Sequence, residues 1–366
     1  ADTENDNLAI GYEAMTGAVA GGEYNVAIGN YTLDALTSAD YCTAVGYNAG
    51  SAVTTGGYNT FIGNQSGDAN TSGNTNTAVG HGSLGSNTVG DRNTAVGSGA
   101  LGTFNPSSNT DDNNTAVGYG ALNELTTGIR NVAIGGTALG GAVTTEGNNM
   151  AIGFASMSAN VAGGEYNVAI GNLSLPNLTS GDKNTALGYN AGDGLTTASN
   201  CVLLGYEAGK AISTQNNNVC IGYQAGVGIT QSNNTLIGVS AALSASGAAE
   251  NTGVGASVLI HLTDGTDNVA MGESAAANLT TGDYNTIIGS NTEPSTGNAQ
   301  SQNVFGYNVD GSGNGTFTFG SGSDDTTCSN GATSFSNPSD VRIKKDIETS
   351  TAGLSFINDL RPVTFK

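Results

Sequence analysis

The side chains best placed to do chemistry lie near the end of the 366-residue chain. Ser339 is followed five residues later by Lys344, with Arg342 and Lys345 on either side of that lysine. A serine hydroxyl becomes a nucleophile only when a base takes its proton, and a neutral lysine amine can be that base. The spacing alone favours a simpler interpretation, in which Ser339 is a turn residue and Lys344 a solvated charge. The residues themselves leave both interpretations open.

Other candidates for site chemistry are sparse. His81 and His261 are far apart, and the four cysteines show no CxxC spacing. We therefore predict no metal site and buried free thiols. Residues 310–315 read Asp-Gly-Ser-Gly-Asn-Gly, but Ser321 stands where a calcium loop carries glutamate, which favours a plain turn. With no carboxylate pair and no phosphate loop in the sequence, we predict no cofactor and no multiple-turnover enzyme.

The elements that must position any site come from an internal repeat. An Asn-x-Ala-[Ile/Val]-Gly motif recurs eighteen times up to Gly306, with most copies 17 residues apart. The residue before this repeat glycine is always a large apolar one, and Asn stands four before it in fifteen copies. Because strand side chains alternate, Asn and Ala share one face, while the large apolar residue shares the other with Thr or Val. The pattern predicts a strand of about five residues, then a second short strand and two turns.

One such unit is one coil of a solenoid, so we predict an all-β fold of stacked parallel coils. Coils about 4.8 Å apart would give a rod of roughly 80 Å over the whole array. Both faces of the repeated strand are apolar, and a thin coil can cover only one of them. We therefore expect a homo-oligomer, with a trimer favoured, and we expect Ile134 and Ile170 to be fully buried.

Tyrosine follows the repeat glycine in seven copies. Tyr189, Tyr206 and Tyr223 come from consecutive coils, so their rings should stack as a column. A platform for sugar rings is one interpretation. An aromatic ladder that stabilises neighbouring strands is the favoured one.

The charge balance limits the partners. The chain has 9 basic and 30 acidic residues, a net charge of −21, which disfavours nucleic acid and anionic lipid. Five of the nine basic residues follow residue 337, which indicates a domain boundary there. No apolar run is long enough to span a membrane. The start at Ala1 has neither Met nor a signal-peptide core, so we expect a processed or partial product.

The repeats of residues 7–306 resemble the head domains of trimeric autotransporter adhesins, and more closely the repeat shafts of bacteriophage tail fibres. The resemblance implies a left-handed parallel β-roll in a homotrimer. Residues 339–347 read Ser-Asp-Val-Arg-Ile-Lys-Lys-Asp-Ile, and 360–363 read Leu-Arg-Pro-Val. This segment is similar to the start of the intramolecular chaperone domain of phage endosialidases and tail spikes.

The second resemblance implies a domain that assembles the trimer and then cuts itself off between Ser339 and Asp340. Ser339 would be the nucleophile and Lys344 would assist it. The family's domain continues past the Leu-Arg-Pro-Val motif into coiled-coil helices. In residues 339–366 we expect a short α+β segment, with a helix whose apolar face carries Leu354, Ile357 and Leu360.

The sequence thus predicts three regions: a β-roll shaft at 1–306, a Gly/Ser-rich β connector at 307–338 and the beginning of a chaperone domain at 339–366. The predicted function is a structural fibre of a phage tail, or of a phage-tail-like injection machine, that attaches to a host surface. Its partners would be its own copies, a host cell-surface glycan or protein, and other tail proteins. The alternatives are a bacterial surface adhesin, which would place the chain at the cell surface, and a tail spike that degrades glycans.

Overall fold

The fold is known from a computed structural model, which describes residues 6–108, 112–141, 147–322 and 325–332. These residues form an all-β structure without a helix. The strands are β1 Leu8–Ile10, β2 Val26–Ile28, β3 Thr43–Val45, β4 Thr60–Ile62, β5 Thr77–Val79, β6 Thr94–Val96, β7 Thr115–Val117, β8 Val132–Ile134, β9 Met150–Ile152, β10 Val168–Ile170, β11 Thr185–Leu187, β12 Val202–Leu204, β13 Val219–Ile221, β14 Thr235–Ile237, β15 Thr252–Val254, β16 Val269–Met271, β17 Thr286–Ile288, β18 Asn303–Tyr307, β19 Thr316–Ser321 and β20 Thr326–Ser329.

Each strand from β1 to β18 pairs in parallel with the next strand along the chain. Equivalent residues face each other, as Ala27 and Ala44 do between β2 and β3. The register does not change where coil length changes, since Thr94 still faces Thr115 across the longest coil. The predicted parallel β-solenoid is therefore confirmed. At about 4.8 Å per coil, it forms a rod of roughly 80 Å.

The segment after each repeat glycine is a turn, and the prediction of a second strand there was wrong. The strands β1 to β17 also span three residues rather than five. In the turn after Gly29, Tyr31 and Leu33 have φ angles of 60° and 46°, in the left-handed region. Gly29 itself has φ 136°, and a Cβ there would collide with the carbonyl oxygen of Gly46. The repeat glycines thus allow the coils to approach at strand spacing.

The interior of the coils is filled mostly by alanine and leucine, with Phe61 and Phe104 as larger buried side chains. In the coil around Gly29, Ala27, Leu33 and Leu36 are all fully buried. The Ala and Asn face lines this interior, and the Val/Thr and Ile face points outward, as the alternation predicts. The expected full burial of Ile134 and Ile170 is therefore not found in the single chain. Ile134 is 39% exposed and Ile170 half-buried, because alanine already occupies the interior.

The buried asparagines form a ladder along the rod, interrupted at two coils. Asn167 is typical: its Oδ1 accepts from the backbone N–H of Asn184 at 2.9 Å, and its Nδ2 donates to the carbonyl of Gly181 at 2.8 Å. Each side chain thus satisfies backbone groups of the following coil, which would otherwise be buried without partners. Cysteine replaces asparagine at Cys42 and Cys201. There the thiol donates to a nearby carbonyl, as Cys42 does to Gly56 at 3.3 Å.

The stacking continues past Gly306 into the predicted connector. Strand β19 pairs in parallel with β18, so it extends the same sheet. Strand β19 lies within this connector and spans Thr316–Ser321. Strand β20 was not predicted; it pairs antiparallel with β19, Phe317 facing Cys328. This hairpin is the last part of the rod that the structure describes.

Candidate functional site

The self-cleavage residues predicted from the sequence, Ser339, Asp340 and Lys344, lie outside the described residues. The nucleophile, the scissile bond and the assisting amine therefore stay a prediction from the motif. The described rod offers three surface features instead: an apolar strand face, two tyrosine columns and an open trench.

The outer strand face consists of the side chains one and three residues before each repeat glycine on strands β1 to β17. It carries Val or Thr beside Ile, Val, Leu or Met in nearly every coil. Leu187 is 49% and Met271 43% exposed, although neither carries a polar atom that could bind water. Because the coils stack in register, these side chains form one apolar stripe along the rod. A stripe of this length is typical of a protein–protein interface.

Two columns of stacked tyrosine rings lie along the rod. The predicted column is present: Tyr206 stacks on Tyr189 at 5.7 Å and on Tyr223 at 5.2 Å between ring centroids. A second column, of Tyr41 with Tyr24 and Tyr58, has centroid distances of 5.1 and 5.0 Å. The sequence reasoning missed it because these tyrosines stand five residues before the repeat glycine, a position that carries tyrosine in only five of the eighteen copies. Neighbouring rings cover the faces of the middle tyrosines, which supports the structural interpretation of both columns.

An open trench of about 690 Å³ runs along the rod on the turn segments that follow strands β5 to β9. Its floor lies at Gly82, Gly99 and Gly120, and its walls include Tyr119 and Glu124. The sequence reasoning did not single out this place. A signal existed, because glycine stands two residues after the repeat glycine in three consecutive coils here.

The cysteines are all free, and three of them are inert by burial. Cys42, Cys201 and Cys220 are buried, as predicted, whereas Cys328 is only half-buried. Desolvation raises the pKa of the Cys220 thiol far above its ordinary value, and burial also raises the pKa of Cys42 and Cys201. A protonated thiol is a poor nucleophile and a poor metal ligand.

The structure shows no constellation for metal binding within its described residues, where no group of three His, Cys, Asp or Glu side chains could hold an ion. His81 and His261 are both exposed and lie on well-separated coils. In the 310–315 turn, the Oδ1 of Asn314 accepts from the backbone N–H of Gln300 at 2.9 Å, so this oxygen serves the fold.

A charged network lies on the rod surface at Glu207 and Lys210. Lys210 donates to Glu207 at 2.7 Å, and Gln224 of the next coil donates to the other carboxylate oxygen at 3.0 Å. The hydrogen bond from Lys210 is the main reason why the pKa of Glu207 lies below its ordinary value. This network ties two coils together and leaves no free base.

Comparison with protein-family models, curated proteins and solved structures found no match to this chain. Over the described residues, no helix has the length and apolar character needed to cross a bilayer. The fold itself is that of a parallel β-solenoid repeat protein.

Proposed function

We propose that this chain is the shaft of a homotrimeric attachment fibre, belonging to a phage tail or a phage-tail-like injection machine. The shaft reaches a host surface and binds it, and a chaperone segment at its end assembles the three chains. The observation that carries the proposal is the outer strand face.

The outer strand face needs a cover that a single chain does not supply. Ile10, Ile134 and Leu187 are each more than a third exposed on this face, while the coil interior is already full. Burying apolar surface contributes about 25 cal/mol per Å², so a stripe repeated along the rod is a strong drive for association. Since every coil presents the same kind of face, a second and third copy in register can cover it along its whole length.

The rest of the rod suits an extracellular spacer. Each coil contacts its neighbours along one axis, which gives length without a large core. The net charge of −21 keeps such a rod soluble and disfavours nucleic acid as a partner. The two tyrosine columns and the asparagine ladder stiffen the stack. These features support a structural role.

The proposal includes the motif at the end of the chain. Residues 339–347 resemble the start of a trimer-assembling chaperone, and its single cut would separate Ser339 from Asp340. The cut would make one turnover per chain, so the fibre is not an enzyme in the ordinary sense.

Adsorption to cells tests the attachment role. Fluorescently labelled rod would be incubated with a panel of bacterial strains and counted on cells by flow cytometry. We expect strong binding to a subset of strains, because attachment requires a particular surface structure that only some strains display. A matched sample carrying Ile134→Asp, which disrupts the outer strand face, should bind less. An assembled rod that adsorbs to no strain, or equally to all strains and to bare beads, would contradict the attachment role.

A further inference from the structure

The trench is open because of the residues at one position of the repeat in these coils, and the solenoid fold alone does not create it. Its floor positions stand two residues after the repeat glycine, and elsewhere on the rod they carry side chains such as Gln65, Asn190 and Glu207. At Gly82 a Cβ would meet no atom within 4 Å, and at Gly120 the nearest would be Thr137 Cγ2 at 3.8 Å. The floor is therefore empty because glycine stands there, and nothing in the packing demands glycine's small size.

The backbone at the floor explains which residues could fill it. Gly99 and Gly120 have φ angles of 67° and 61°. This left-handed region is open to glycine and, among other residues, best tolerated by asparagine. Asn48 and Asn190 occupy the same place in other coils with φ of 61° and 53°. Asparagine would thus have fitted at these positions, and glycine leaves the floor open in three of the five coils; the other two carry Thr137 and Ala155 there.

The trench has the size and direction for a chain-like ligand. It is lined by residues of five successive coils, from His81 to Asn160, so it extends roughly 20 Å along the rod at about 4.8 Å per coil. Its volume of about 690 Å³ lies within the range of small-molecule sites. It is carried by the turns after the strands and not by the outer strand face, so the proposed trimer contact does not use it.

The walls combine one free aromatic face with polar groups that can form hydrogen bonds. Tyr119 is 72% exposed, and unlike Tyr206 it makes no ring contact with another described aromatic residue. Around it stand His81, Asn123 and Glu124, with serine and threonine hydroxyls. No lysine or arginine lines the trench, and Glu124 adds a negative charge, so an anionic ligand would be repelled.

We propose that this trench binds a neutral oligosaccharide lying along the rod axis. The C–H bonds of a sugar ring carry partial positive charge and are attracted to the negative face of an aromatic ring such as Tyr119. The amide, carboxylate and imidazole groups can exchange hydrogen bonds with sugar hydroxyls. The open glycine floor lets the sugar rings approach the backbone. This inference rests on the proposed attachment function and names the receptor class as an uncharged glycan.

Binding to a defined glycan panel tests the inference. The assembled rod is applied to immobilised malto-, cello-, chito-, manno- and galacto-oligosaccharides of two to six units, with sialylated oligosaccharides as anionic comparators. We expect binding to one or more neutral series, stronger for longer chains, and none to the sialylated set. Tyr119→Ala should weaken the bound series at least about tenfold, a loss of roughly 1.4 kcal/mol, while Tyr119→Phe should retain it.

The decisive variant is Gly99→Asn combined with Gly120→Asn, which fills the floor with a residue that other coils accept. It should assemble normally and lose the glycan. The control is Asn190→Gly, the reverse change at the same place in another coil, which should bind as the unchanged rod does. The inference is overturned if the rod binds no neutral oligosaccharide series or binds only the sialylated set. It is also overturned if the variant with both asparagines still binds the neutral series. Light scattering and cell adsorption on the same samples separate the attachment role from the glycan site. If the variant with the filled trench still forms a trimer and still adsorbs to cells, the attachment role holds and the glycan site is wrong.

Discussion

Asn93 and Asn114 lie 21 residues apart, yet the Oδ1 of Asn93 accepts a hydrogen bond from the backbone N–H of Asn114 at 3.1 Å. The same bond joins Asn114 to Asn131 across an ordinary step of 17 residues, at 3.0 Å. The greater length of this coil therefore leaves the ladder unchanged. The ladder sets the stacking register, and coil length can vary around it.

Removing one member of the ladder should destabilise the rod. Asn167→Ala leaves the N–H of Asn184 and the carbonyl of Gly181 without their side-chain partner in a buried site. We expect the free energy of unfolding to fall by about 1–3 kcal/mol, measured by guanidinium denaturation. The control is Asn177→Ala, which breaks one exposed bond to the Asp193 carbonyl and should change stability by less than about 0.5 kcal/mol. Equal losses in the two variants would contradict the ladder's role.

The column of Tyr189, Tyr206 and Tyr223 should stabilise the rod through its ring contacts. Tyr206 stacks on a ring at each side, and an aromatic pair contributes about 0.5–1.5 kcal/mol. Tyr206→Ala should therefore lower the free energy of unfolding by about 1–3 kcal/mol, while Tyr206→Phe should be nearly neutral. Tyr119→Ala, which removes an exposed ring without ring neighbours, is the matched control and should cost less. The structural interpretation fails if Tyr206→Ala and Tyr119→Ala have the same effect.

Much of the rod could be predicted because each repeat position has a single physical task. The glycine column, the buried Ala and Asn face and the stacking of Tyr189, Tyr206 and Tyr223 all follow from residue type at a fixed period. Agreement across eighteen copies makes such a pattern stronger than any single propensity.

The turns could not be predicted in the same way. Leu33 and Leu122 have φ angles of 46° and 51°, a region that leucine enters only at a cost. The coil accepts this strain because it directs each leucine into the interior, where both are fully buried. Residue type alone favours an extended segment there, so the second strand was predicted wrongly. The trench was missed for a related reason, since three glycines read as routine members of a glycine-rich repeat.

The buried thiols should make stability depend on pH at the alkaline side. Burial raises the pKa of Cys42, Cys201 and Cys220 in the folded chain, so the unfolded chain loses these protons first as pH rises. The buried thiols therefore contribute their whole stabilisation below the ordinary thiol pKa of about 8.5, and this contribution falls as the pH rises above it. We expect the unchanged chain to be more stable than Cys220→Ala, and this difference in stability should shrink between about pH 8 and pH 10 in thermal denaturation. A stability difference between the two chains that does not change with pH would contradict the assigned burial.

Thiol reactivity offers a second readout of the same burial. Cys328 is half-buried and should be alkylated first in the folded rod at neutral pH, followed by the others only after denaturation. Mass spectrometry of chymotryptic peptides identifies the modified residue, because tyrosines, phenylalanines and leucines separate Cys220 from Cys328, whereas no lysine or arginine does. Modification of Cys220 before Cys328 would show that the coil interior opens in the native state.

Self-cleavage is testable in a chain extended with the remainder of a chaperone domain. We expect mass spectrometry to find a shaft that ends at Ser339 and a fragment that begins at Asp340. Ser339→Ala and Lys344→Ala should each leave an intact chain that still assembles, because assembly depends on the chaperone helices and not on the cut. If the extended chain stays whole after assembly, the segment is a chaperone without protease activity and Ser339 is a turn residue.

The mass of the rod in solution tests the central claim most directly. Each chain has a mass of 36.2 kDa, and light scattering at micromolar concentration should give three times that value. Ile134→Asp puts a charge on the outer strand face, where the residue is 39% exposed in a single chain but would be buried in the trimer. We expect this variant to lose the trimer, while Asn177→Asp, at an exposed residue in the turns after β10, should keep it. A folded monomer for the unchanged chain, or a normal trimer for Ile134→Asp, would contradict the account.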